Sequence, residues 1–276
     1  MSQIFKILSV LYLLSFLITS SYAQKGNGIQ ILVQPGISRG GEYEIIQATS
    51  SPDYYLANKM QKATTFGIQE GILLNHFFNA KVGIDMGVFY AHQGQNYNEY
   101  TWTLDNYSST SERGLVLNYL KFPIQFEFIY SPENKFSFTF SAGFYFAYLL
   151  NFDDENTEIT SEGTYQTSIA TQKGITTTFI DRYGTIYHGS NTFEIKPYNK
   201  LDLGGITSLG LQFKVSDKIS VPLTFNYEYS FTNAKNESSL LSSTGRRPSP
   251  FWQAPNDNIP YHNSWLGLKT GLRYHF

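Results

Sequence analysis

The chain contains no cysteine. That removes disulfide scaffolds and thiolate metal or redox sites from consideration. Charged residues make up only 15% and nearly cancel, to a net charge of -2, so no basic surface suited to nucleic acid is present. Beyond residue 23 no apolar run approaches the roughly 20 residues that a membrane-crossing helix needs. Tryptophan is scarce, at three, but there are 22 Phe and 21 Tyr. An aromatic fraction of 17% is too rich for a disordered chain. What remains is an all-β protein whose apolar faces meet either a core or lipid.

The first 23 residues stand apart. Lys6 supplies a positive start, 7–18 is apolar apart from Ser9 and Ser15, and Ser21-Tyr22-Ala23 has the small-x-small form of a cleavage site. This predicts a secretory signal peptide over 1–23, removed before Gln24, and a single domain over 24–276. Its removal takes away one lysine and no acid, leaving a mature charge of -3.

The mature chain repeats a period of two. In 120–130, Leu120, Phe122, Ile124, Phe126 and Phe128 share one face, and Lys121, Pro123, Gln125 and Glu127 share the other. The segments 28–37, 64–75, 80–93, 136–148, 201–215, 219–231 and 265–276 behave alike. Large aromatics on one face and Gly, Ser, Thr and charges on the other fit a wall with lipid outside. The interior of a small barrel has room only for filling side chains, not for this many Phe and Tyr. An 11-residue strand tilted by about 45° spans about 25 Å, the height of an outer-membrane apolar band. One residue conflicts: Glu70 falls on the apolar face of its strand, which predicts a bulge there, or a protonated or paired carboxylate.

The connections alternate. Those near 75–79, 131–135 and 216–218 are short, whereas 38–61, 94–113, 152–200 and 232–263 are long. Short periplasmic turns and long outer loops are the habit of membrane barrels. The sequence therefore predicts an all-β fold: a transmembrane, antiparallel, up-and-down β-barrel of about eight strands, with a polar packed lumen and long extracellular loops. A soluble periplasmic barrel is the structural rival.

Asn118-Tyr119-Leu120-Lys121-Phe122-Pro123-Ile124, the glycine-rich stretch from Leu203-Gly204-Gly205 to Leu211-Gln212-Phe213, and the ending Gly271-Leu272-Arg273-Tyr274-His275-Phe276 resemble the PorT-like outer membrane β-barrel domain family of Bacteroidota. The resemblance covers most of 24–276 outside the long loops. It implies residence in the outer membrane, with lipid and lipopolysaccharide as surroundings. It also implies a C-terminal aromatic signal, Tyr274 and Phe276, read by the barrel assembly machinery. One branch of the family is linked to protein secretion, but no residue here selects that branch.

Eight charges fall on the polar faces: Lys81, Asp85, Lys121, Glu127, Lys214, Glu228, Lys269 and Arg273. Buried charges must pair, so a luminal ion-pair network is expected. In the fourth outer loop Arg246, Arg247, Phe251 and Trp252 combine guanidinium and aromatic groups, a composition suited to a protein or glycan partner. The third loop opens with Asp153, Asp154, Glu155, Glu158 and Glu162 and offers a hairpin turn at Asp181-Arg182-Tyr183-Gly184. His188 and His262 lie in outer loops near Asp181 and Asp257, with no spacing that demands a catalytic pair, and no zinc motif such as H-E-x-x-H occurs. The expectation is a barrel with no enzymatic activity, no cofactor, no metal and no nucleic acid partner. Its loops would meet a partner outside the cell or in the envelope. An accessory role in transport or secretion is the alternative, and a hydrolase at the rim is the lesser one.

Overall fold

The computed structural model of the protein describes residues 26–41, 44–48, 55–104, 107–132, 134–161, 163–171, 174–192, 198–234 and 261–276. The expected signal peptide, 1–23, lies outside them. Among the described residues the strands are β1 (Asn27–Arg39), β2 (Glu44–Ala48), β3 (Tyr55–Lys59), β4 (Thr65–Phe77), β5 (Val82–Leu104), β6 (Tyr107–Tyr130) and β7 (Phe136–Thr160). They continue as β8 (Tyr165–Thr171), β9 (Gly174–Ile180), β10 (Ile186–Thr192), β11 (Leu201–Lys214), β12 (Ile219–Ser230) and β13 (Ser264–His275).

Eight of these strands close on themselves. The antiparallel order is β1, β4, β5, β6, β7, β11, β12 and β13, and β13 returns to β1 with Gly28 opposite His275 and Ile37 opposite Leu266. Closure leaves the barrel wall no free edge, which is what lipid demands of a sheet. The sequence pattern explains the wall. Phe66, Phe126, Phe138, Phe144 and Phe225 are exposed on the outside, while their neighbours Thr65, Gln125, Ser137, Tyr145 and Thr224 are buried within. The apolar face is therefore the outer one, as the alternation predicts.

Glu70 keeps its place on that outer face. The β1–β4 ladder runs unbroken from Asn27↔His76 to Ser38↔Thr65, and the β4–β5 ladder from Ile68↔His92 to Phe77↔Gly83. A bulge is thus excluded. Among the described residues the Glu70 carboxylate has neither a hydrogen bond nor an ion pair, so the expected pairing within the chain is absent too.

The strands outrun the sequence reading on the side of the long loops. Residues 94–113 belong mainly to β5 and β6, which continue as a hairpin stem with Thr101 opposite Thr110. Most of 152–200 is also strand. Beyond Phe152 the free edge of β7 pairs with β8 instead of β11, and β9 and β10 follow, forming a sheet that rises from the rim. The turn between β9 and β10 falls at Asp181–Gly184 as expected. There Gly184 has φ of +81°, a left-handed conformation that a side chain would strain. These extensions escaped the pattern because their outer face meets water instead of lipid and their inner face is largely polar, with Gln95, Ser109, Ser111 and Asp154 buried there. The apolar alternation fades there, although Thr, Ile and Tyr keep their strand propensity.

One irregularity decides what fills the upper barrel. The β6–β7 ladder slips between Tyr119↔Leu149 and Asn118↔Asn151, leaving Leu150 as an extra residue. Leu150 and Asn151 then both face outward, and Phe152 turns inward. Trp265, also luminal and 1% exposed, rests on small residues of neighbouring strands. A Cβ on Gly36 would approach its ring to 2.7 Å, and one on Gly67 to 2.8 Å.

Candidate functional site

The luminal side chains sort into two layers. Nearest the short turns is a polar layer. Arg273 of β13 reaches across the barrel to Glu127 of β6 at 3.0 Å, donates to Gln30 of β1 at 2.9 Å and to Gln212 of β11 at 3.0 Å, and lies 3.9 Å from Asp85. Asp85 accepts from the Asn75 amide at 2.6 Å. A level higher, Lys121 meets Glu228 at 2.6 Å and donates to Gln93 at 3.0 Å. Glu228 also accepts from Gln69 at 3.2 Å and Asn226 at 2.8 Å. Lys269 donates to the Ser208 hydroxyl at 3.5 Å. All six charged groups are buried. Facing strands of a narrow barrel bring together residues 146 and 159 positions apart, and low dielectric favours each pairing.

The other two expected luminal charges lie elsewhere. Lys214 pairs with Asp217 in the β11–β12 turn at 2.9 Å, with 41% of its side chain exposed. The hydrogen bond and charge from Lys214 hold the Asp217 carboxyl below its ordinary value. Lys81 is exposed in the β4–β5 turn. Both residues follow the luminal parity, but they sit at the end of a strand, where a lysine stem reaches water.

Above the polar layer is an aromatic one. Tyr119, Tyr145, Phe152, Tyr198 and Tyr261 are buried with Leu115, Leu117 and Leu149 in one cluster. Sequence reasoning missed it for two reasons. The strands were ended too early, and the slip at Leu150 reverses the face of Phe152. Polar hooks fix the layer. Tyr198 donates to Asp154 at 2.9 Å, and Asp154 takes both arms of Arg113. Burial, reinforced by the charge of Asp154, holds the Tyr198 hydroxyl well above its usual range. Asp202, 1% exposed, accepts from Ser230 at 2.5 Å and Thr232 at 2.7 Å. Tyr261 joins the feet of the fourth loop: its amide donates to the Asn233 side chain, and its carbonyl accepts from Ala234 at 2.7 Å. Among the described residues the two layers occupy most of the lumen, with a small cavity between them.

Tyr274 and Phe276 lie outside, at the short-turn end of β13, with stacked rings 6.4 Å apart. His188 stands 3.3 Å from the Thr178 hydroxyl, and His262 stacks on Tyr229. Arg246, Arg247, Phe251, Trp252 and Asp257 lie outside the described residues.

A closed antiparallel barrel with an aromatic outer wall, a filled lumen and strands prolonged at one rim is an outer membrane β-barrel protein. The chain belongs to the outer membrane protein β-barrel domain family, whose model matches residues 22–236. This establishes the bacterial outer membrane as its location and outer-membrane lipid as its surroundings.

No curated protein matches the chain. Similar solved structures include OprG of Pseudomonas aeruginosa, at 8% identity, covering 92% of this chain and 97% of that one with a TM-score of 0.44. Ail of Yersinia pestis, solved with the heparin analogue sucrose octasulfate, has 11% identity, 91% and 99% coverage and a TM-score of 0.32. The outer membrane protease OmpT of Escherichia coli has 10% identity, 92% and 98% coverage and a TM-score of 0.43. The last of these corrects the expectation that the chain has no enzymatic activity.

Proposed function

We propose that the protein is a surface-presenting barrel whose sheet above the rim, β7 to β10, meets a partner outside the cell. The carrying observation is that β10 ends this sheet. Among the described residues nothing pairs with its outer edge. Seven residues long, it carries no proline and no charge, and Ile186 and Tyr187 are more than half exposed. An edge without such guards is open to an added strand. Export by a signal peptide over 1–23, assembly through Tyr274 and Phe276 by the barrel assembly machinery, and kinship with the PorT-like outer membrane β-barrel domain family of Bacteroidota complete this reading. Arg246, Arg247, Phe251 and Trp252, in the segment between Ala234 and Tyr261, are the second candidate contact in this reading.

The filled lumen weighs against the transport alternative in its simplest form, a solute pore. An accessory role in secretion would have to use the same outer sheet or the outer wall.

A photo-crosslinking residue at Tyr187, used on intact cells, tests the proposal. The expected result is a discrete protein adduct, absent when the crosslinker sits at the membrane-facing Tyr227 and lost with Ser190→Pro. Adducts of lipid alone, or an adduct indifferent to Ser190→Pro, would overturn it.

A further inference from the structure

Two of the three buried luminal cations touch carboxylates. Lys121 has Glu228 at 2.6 Å and Arg273 has Glu127 at 3.0 Å. Lys269, 6% exposed, has no carboxylate within 4.0 Å among the described residues, and its one hydrogen bond is the 3.5 Å contact to Ser208. Lys269 lines a small cavity between the polar and aromatic layers, together with Gln34, Gln69, Lys121, Gln125 and Glu228. The space suits an occupant of about one water in size.

Several unpartnered groups in or beside this cavity are able to donate. The amide nitrogens Nε2 of Gln34 and Gln125 are buried without an acceptor. So is the hydroxyl of Thr224, the residue opposite Lys269 on β12. Glu228, the carboxylate on the cavity wall, is already engaged by Lys121, Gln69 and Asn226. Buried polar groups in native proteins find partners. Here the wall offers an ammonium and several N–H or O–H groups, and its carboxylate is taken.

We propose that this cavity binds one small monatomic anion, of chloride size, held by Lys269 Nζ and the side-chain amides of Gln34 and Gln125. Such an ion only accepts, which matches the Lys269 ammonium and the unpartnered amide N–H groups of Gln34 and Gln125. A cation is repelled by Lys269, and phosphate or sulfate is too large. The ion supplies the contact that Lys269 lacks and ties β13 to β1 and β6 through the lumen.

Crystals of the folded barrel grown in sodium bromide, measured at the bromine absorption edge, decide the matter on the unaltered protein. The expected result is an anomalous peak within hydrogen-bond reach of Lys269 Nζ. Water-like density without anomalous signal, or bromide confined to the protein surface, would overturn the proposal. In detergent, replacing sodium gluconate by sodium chloride at fixed ionic strength should raise the unfolding temperature saturably, and a flat response would count equally against it. Gln34→Leu keeps Lys269 in place and should weaken the halide response about tenfold, the loss of one hydrogen bond to an ion. Lys269→Met should abolish it. If Lys269→Met does not fold, the bromide measurement still stands.

Discussion

Lys121 and Phe126 sit five residues apart on β6, yet opposite rules govern them. Lys121 is 3% exposed and held between Glu228, Gln93 and the ring of Tyr145. Lys121→Met strands the Glu228 carboxylate and should cost about 3–5 kcal/mol, as for any buried pair broken on one side. Adding Glu228→Gln should recover much of that loss, and a urea titration of the four proteins in detergent measures the coupling. If the second change made matters worse by its own full cost, the two residues would not be a pair. Phe126, 62% exposed, faces lipid. Phe126→Lys should cost about 2–4 kcal/mol near the bilayer midplane, and Phe126→Leu far less. Equal penalties in the same titration would mean the wall is turned the wrong way. Residue parity sufficed to place Lys121, Glu127 and Arg273 in the lumen. It misplaced Lys81 and Lys214 because parity carries no information about depth.

At the scale of elements, legibility followed solvent. Where one face meets lipid and the other the lumen, the alternation marks a strand to within a few residues, as in β4, β11 and β12. Where the outer face meets water instead of lipid, strands were taken for loops. The slip at Leu150 was invisible because both registers look equally regular in sequence, and only the partner strand reveals the extra residue. It makes an uneven prediction. Deleting Leu150 keeps Phe152 and Asp154 on the luminal side and should yield a barrel that still shifts on boiling before gel electrophoresis. Deleting Phe138, inside the regular ladder, turns the side chains from Thr139 to Leu149 to the wrong face before the extra residue at Leu150 can absorb the change and should yield no folded band. The β9–β10 hairpin responds to acid instead. Asp181 accepts from the Thr185 amide at 2.8 Å and the Tyr183 amide at 2.9 Å, and these bonds hold its carboxyl below the ordinary value of 3.8. A depressed carboxyl stabilises above its unfolded pKa and loses that contribution as pH falls through its folded one. Hydrogen exchange at Tyr183 and Thr185, corrected for its intrinsic pH dependence, should therefore lose protection only below about pH 4, while the barrel wall remains protected.

On the scale of the whole molecule, the filled lumen predicts that the purified barrel gives no sizeable, salt-dependent conductance in planar bilayers. Steady open channels would contradict the two-layer packing. The same packing bears on how the wall is completed. Of the three buried luminal cations, Lys269 and Arg273 both lie on β13, while Asp85 and Glu127 stand on β5 and β6. Until the final strand docks, those two carboxylates have no guanidinium to face and must keep their hydration. The nascent cylinder is therefore wet, and its last strand expels the water by delivering the countercharge. A chain that closed out of register would leave two carboxylates in a dry interior without a countercharge, a costly state.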